Sequence, residues 1–175
     1  TLFGITDNLK ALFRINPQNA LGSYVGPLAV SGLASPTTNL DTSLAIAADG
    51  RAWMASAALK KLWRLDLATG ATSPVGDLGV QITGLAARGS ELYGAGARGQ
   101  EGLYRIEDGG LQPVPQPHQF PTCCLAVEDR LLVGGAPLGV TFSLDEGANW
   151  QASWMDYLDA RVVALAADPR VGETG

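Results

Sequence analysis

Ser143-Leu144-Asp145-Glu146-Gly147-Ala148-Asn149-Trp150 is the stretch on which the reading of this chain turns. It follows a short apolar segment, Val140-Thr141-Phe142. An aspartate in a tight turn accepts hydrogen bonds from backbone N–H groups one or two residues ahead. Gly147 suits a position with φ above zero, and Ser143 offers a hydroxyl to the same turn. Trp150 supplies a large apolar body to pack beneath it. These residues predict a hairpin that finishes one unit of a repeat.

Working outward, similar units recur. Four small-residue segments match one another: Leu44-Ala45-Ile46-Ala47-Ala48, Gly84-Leu85-Ala86-Ala87, Cys124-Leu125-Ala126-Val127 and Ala164-Leu165-Ala166-Ala167. Their anchors Ile46, Leu85, Leu125 and Leu165 are spaced by 39, 40 and 40 residues. After each of the first three comes a second apolar segment, centred on Trp53, Tyr93 and Val133. A third segment alternates apolar and polar residues, as a half-buried strand does: Leu62-Trp63-Arg64-Leu65, Leu103-Tyr104-Arg105-Ile106 and Thr141-Phe142-Ser143-Leu144. A weaker fourth segment closes each unit. Turn signals separate the strands, among them Asp49-Gly50, Thr69-Gly70 and Arg88-Gly89. The Ala-rich pieces are too short, and too often broken by Gly or Pro, to be helices.

A period of ~40 residues holding four short strands is the signature of a propeller blade. The expected fold is therefore all-β, a β-propeller of four-stranded antiparallel blades in a single domain spanning 1–175. Leu2 to Val25 supplies only the second, third and fourth strands of a blade. Residues 162–167 supply an inner strand with no blade after it. The expectation is four blades closed by that C-terminal strand: blade 1 from 162–167 plus 2–25, blade 2 from 43–76, blade 3 from 81–115 and blade 4 from 122–155. Closure of this kind removes sheet edges. The rival is a set of consecutive blades cut from a longer ring.

The S-x-D-x-G-x-N-W pattern of residues 143–150 resembles the Asp-box of sialidase-like, sortilin-like and photosystem-assembly-factor-like propellers (BNR repeats). The resemblance implies a structural hairpin between the third and fourth strands of a blade. On this reading Ser143, Asp145, Gly147 and Trp150 are structural, remote from any active site.

The remaining candidates are weaker. Cys123 and Cys124 are the only cysteines. Consecutive Cα atoms sit about 3.8 Å apart, below the usual disulfide range. Two small buried thiols and a strained vicinal disulfide both stay open. His118 is the sole histidine and sits between prolines, so no metal set and no Ser-His-Asp arrangement is expected. Gly94-Ala95-Gly96-Ala97-Arg98-Gly99 opens no helix and is not read as a phosphate loop. Arg14, Arg64 and Arg105 fall at equivalent third-strand positions, which predicts separate solvated cations on successive blades. Two connections stand out: residues 26–42, and the Pro-rich 112–121, expected as an extended strap. Trp154, Met155 and Tyr157, with His118, are candidate interaction residues.

Net charge is −5 with no basic run beyond Lys60-Lys61, which argues against nucleic-acid binding. No apolar run approaches the ~20 residues of a membrane span, and no cofactor or metal is expected. The chain starts without Met, which suits a processed mature protein or an artificial start. Alanine-rich, lysine-poor usage suits a GC-rich bacterial genome. These readings combine into an expectation: a non-catalytic scaffold propeller, serving protein partners in an extracytoplasmic (periplasmic or secreted) assembly. A carbohydrate-binding, lectin-like propeller and a fragment of a sialidase-like glycoside hydrolase are the alternatives.

Overall fold

The computed structural model describes residues 1–30, 39–97, 99–107, 110–115, 121–127, 130–135 and 139–153. In β12, in β13 outside Val133, and at Gly139 and Ser153, only the backbone is described. The described residues form strands and turns without helix.

The first sheet contains β1 (Leu2–Thr6), β2 (Ala11–Ile15) and β3 (Gly22–Pro27), in that order. The second contains β4 (Thr42–Ile46), β5 (Ala52–Ser56), β6 (Lys61–Leu65) and β7 (Thr72–Asp77). The third contains β8 (Gln81–Arg88), β9 (Glu91–Ala97), β10 (Gly102–Glu107) and β11 (Gly110–Val114). The fourth contains β12 (Pro121–Val127), β13 (Arg130–Gly135), β14 (Gly139–Ser143) and β15 (Gln151–Ser153). Every sheet is an antiparallel meander, so successive turns alternate between two ends of the molecule. The first strands converge, with β8 beside both β4 and β12. Their Ala and Gly residues allow that approach.

The core lies between sheets. Leu12 of the first sheet packs with Ala52, Met54, Trp63 and Leu65 of the second. From the opposite face of the second sheet, Trp53, Ala55 and Leu62 pack on Ile82, Leu85, Leu92 and Ile106 of the third. Tyr93, Ala95 and Leu103 then meet Val133 and Trp150 of the fourth. Successive residues of a strand point to opposite faces, so β5 feeds two interfaces and all five of its residues are buried.

The first two sheets are close copies. Leu28 N–H donates to Lys10 O at 2.6 Å, and fifty residues on Leu78 N–H donates to Lys60 O at 2.7 Å. Lys10 and Lys60 both adopt positive φ, 46° and 54°. The copies also touch. A Cβ on Gly26 would sit 1.8 Å from the Thr69 carbonyl oxygen, so the two backbones cross where only glycine fits.

Two sequence-based details shift. Ile46 is not an inward anchor: it pairs with Ala52 and is 40 % exposed. Ala45 and Ala86 hold the equivalent places, opposite Trp53 and Tyr93. The cause is turn length. Residues 48–50 separate the hydrogen-bonded Ala47 and Arg51, whereas Arg88 pairs with Glu91 across only Gly89 and Ser90. An odd change in loop length moves a strand's faces by one. The Pro-rich strap is also partly strand, because Gln112, Pro113 and Val114 belong to β11. Residues 31–38, 116–120 and 162–167 lie outside the described residues. So do the interior of the long connection, His118 and the strand expected to close the first blade.

Candidate functional site

Antiparallel register sets a row of side chains across each sheet, and partners in a row share a face. In the first sheet the row is Phe3, Arg14 and Ser23. In the second it is Ala45, Trp53, Arg64 and Ser73. In the third it is Ala86, Tyr93, Arg105 and Gln112. An aromatic ring thus stands beside an arginine in three sheets. In the fourth the matching positions are Cys124, Val133, Thr141 and Ala152.

At the rim between the second and third sheets, Trp53 and Arg64 of one row and Arg105 of the next line a cleft of about 370 Å³. Trp53 is 5 % exposed at its base. The Arg64 guanidinium lies 4.5 Å from the Trp53 ring centroid and that of Arg51 lies 5.3 Å away. Arg51 Nε also binds Asp49 at 2.5 Å. Across the cleft, Arg105 pairs with Glu91 at 2.7 Å and Glu107 at 2.9 Å. Arg64 makes no ion pair among the described residues. The two arginines were expected as separate cations; Arg64 and Arg105 both border one cleft at the rim of the two sheets.

The third and fourth sheets meet differently. Arg88 Nη2 donates to Glu91 Oε2 at 3.0 Å, to the Tyr93 hydroxyl at 3.2 Å and to Glu146 Oε1 at 3.0 Å. The Tyr93 hydroxyl donates to Glu91 Oε2 at 2.8 Å. Burial, then this bond, pushes the Tyr93 phenol up to about 12. Burial alone would raise the Glu91 carboxyl, but bonds from Tyr93 and Arg88 outweigh it and hold the group below its ordinary value.

Glu146 belongs to the hairpin that opened the sequence reading. Ser143, 1 % exposed, donates to Asp145 Oδ1 at 2.9 Å and accepts the Gly147 N–H at 2.8 Å. Asp145 accepts the Asn149 side chain at 2.6 Å and its backbone N–H at 2.7 Å. The Asn149 donors hold the Asp145 carboxyl below the usual range. Gly147 has φ of 92°. The Trp150 indole donates to Gly147 O at 3.0 Å and, across the junction, to Pro115 O at 2.6 Å. The turn therefore also clasps two sheets, which the sequence did not reveal.

Cys123 and Cys124 are consecutive in β12, opposite Gly134 and Val133. Trp154, Met155 and Tyr157 lie outside the described residues, as does His118. No group of three or more potential metal ligands occurs among the described residues. No helix among them is long and apolar enough to cross a membrane. Arg51, Trp53, Arg64, Glu91 and Arg105 were missed as a site. The repeated aromatic–arginine row was the available signal.

The arrangement defines a class, the β-propeller, and solved structures agree. The chain is similar to a gluconolactonase from Xanthomonas campestris (TM-score 0.64, 17 % identity), covering 91 % of this chain and 60 % of that one. It is similar to virginiamycin B lyase from Staphylococcus aureus (TM-score 0.58, 15 % identity), covering 88 % and 55 %. It is also similar to YCF48 bound to a D1 peptide (TM-score 0.56, 13 % identity), covering 86 % and 48 %. The chain thus spans about half to three fifths of the length of these structures. No protein-family model matches the sequence, and a search of curated proteins gives no match.

The expectation of a non-catalytic chain does not survive this comparison. The lyase and the gluconolactonase are enzymes whose structures share this fold. A propeller is a scaffold on which unrelated chemistries are grafted, so the lack of a triad or sialidase set is no argument against activity.

Proposed function

We propose that this chain is a protein-binding propeller, whose working surface is the end carrying the β4–β5, β8–β9 and β14–β15 turns. One observation carries the reading: that end presents an open, charged, aromatic-floored cleft between the second and third sheets. The outer strands offer little to a partner strand. Pro74 and Pro113 occupy matching positions of β7 and β11, opposite Trp63 and Tyr104, and proline removes an edge donor. Recognition then falls to side chains in the cleft. YCF48, a peptide-bound propeller of similar structure, supports the reading by analogy of fold.

Within this proposal the 143–150 hairpin is an Asp-box, supported by the Ser143–Asp145–Gly147 bonds described above. Residues 162–167, expected to close the first blade, lie outside the described residues, among which the first sheet has three strands and the others four. An extracytoplasmic location rests on the Asp-box resemblance. The glycan-binding alternative rested on Trp154 and Tyr157, outside the described residues.

The test is chemical crosslinking of the chain in its source cells, followed by identification of attached polypeptides. Crosslinks from a reactive group placed at Ser90, in the cleft wall, to one recurrent protein are expected. Recovery of the chain alone would overturn the reading.

A further inference from the structure

We propose that the cleft between the second and third sheets is a carboxylate site, taking an acidic side chain of the bound protein with Arg64 as its receptor. The proposal deepens the protein-binding reading and rests on it. In a chain of net charge −5, the cleft lining carries Arg51, Arg64 and Arg105 against Glu91 and Glu107. Both glutamates are engaged by Arg105, and Arg51 is engaged by Asp49. Arg64 is the one of the three arginines with no ion pair among the described residues; Asp49 acts on it only through space.

Its state is unlike that of its counterpart one sheet on. Arg105 spends its donors on two carboxylates, while Arg64 rests on the Trp53 ring at 4.5 Å and makes no ion pair among the described residues. Stacking on an aromatic face fixes the plane of a guanidinium and leaves its fork of N–H donors free for a carboxylate. Trp53 is itself locked in the core, so the receptor is preorganised. The walls beside it include Leu62, Val75 and Ile106, which suit the methylenes of an acidic side chain.

The setting favours an acid carried on a chain over a free small anion. Arg51 and Arg64 also line a second depression of about 700 Å³ reaching along residues 65–73 of the same sheet. The two hollows share a wall made of these arginines. A segment laid across both would place one acidic side chain on Arg64, whereas a lone anion would use a fraction of the space.

The test uses the full chain and a fluorescent, end-capped hexaglutamate peptide at low salt, with hexaglutamine as the uncharged control. Peptide binding is expected, weakened about tenfold by Arg64→Gln, the scale of one lost charge-assisted contact. Arg64→Lys should be intermediate, because it keeps the charge and loses the fork. Arg14→Gln, the same row of the first sheet, should leave affinity unchanged. Arg64 is exposed, so thermal midpoints should match across the variants.

Equal weakening by Arg14→Gln would show diffuse attraction and overturn the site. Displacement of the peptide by glutarate at comparable concentration would overturn the protein-borne occupant in favour of a small-anion site. Absence of binding would overturn the site outright. If Arg64→Gln chains still crosslink undiminished to a partner in cells, the carboxylate site fails while the protein-binding reading stands.

Discussion

The two junctions of the third sheet are built from the same row of residues and end in opposite states. Toward the fourth sheet, Tyr93, Glu91, Arg88 and Glu146 saturate one another, and Trp150 reaches across to Pro115. Toward the second sheet, the matching aromatic, Trp53, carries an arginine with no ion pair among the described residues. The difference is one of supplied carboxylates: Glu91 and Glu107 flank Arg105, and the turn of the fourth sheet sends Glu146 to Arg88. A repeat architecture can thus close one interface and leave the next open by changing a few residues at strand ends and turns, here Arg88, Glu91, Glu107 and Glu146.

The sharpest way to break the closed junction is Gly147→Ala. The added methyl would lie 2.2 Å from Val114 Cγ1, at a residue with φ of 92°. Overpacking and a left-handed backbone together should cost about 3 kcal/mol, read from denaturant midpoints. Trp150→Phe keeps much of the ring but removes the indole donor from Pro115 O and Gly147 O, and should cost about 1 kcal/mol in the same assay.

The alkaline response comes next. The Tyr93 phenol titrates at 10.0 when unfolded and about 12 when folded. Between those values only the unfolded chain releases the proton, so stability is intact below pH 10 and falls as pH rises toward 12. Tyr93→Phe should flatten that part of a thermal-midpoint profile. A profile as steep as the native one would mean the hydroxyl is not held by Glu91. The smallest stability effect should come at the open junction: Arg64→Gln should shift stability by less than about 0.5 kcal/mol, as surface changes do. A larger loss would show that Arg64 supports the fold rather than waiting for a ligand.

Much of this was legible beforehand because side-chain alternation and turn chemistry are local. Trp53, Tyr93 and Val133 were placed correctly as equivalents, since the turns after them keep nearly constant length. Ile46 was misplaced because a three-residue turn there replaces a two-residue one. Arg64 and Arg105 were read as equivalent third-strand positions on successive blades, standing apart. Their sharing of a cleft depends on how one sheet's face lies on the next, and no periodicity encodes that distance.

The sequence by itself determined the strands, their order within each meander, and the hydrogen-bonding role of Ser143, Asp145 and Gly147. Each of those follows from neighbours a few residues away. Only the tertiary structure decided that Trp150 and Glu146 clasp the preceding sheet, and that Arg64 borders the cleft with no ion pair among the described residues. Those outcomes depend on groups such as Trp150 and Pro115, 35 residues apart in the chain. They meet only once the sheets have packed and the core has fixed their separation.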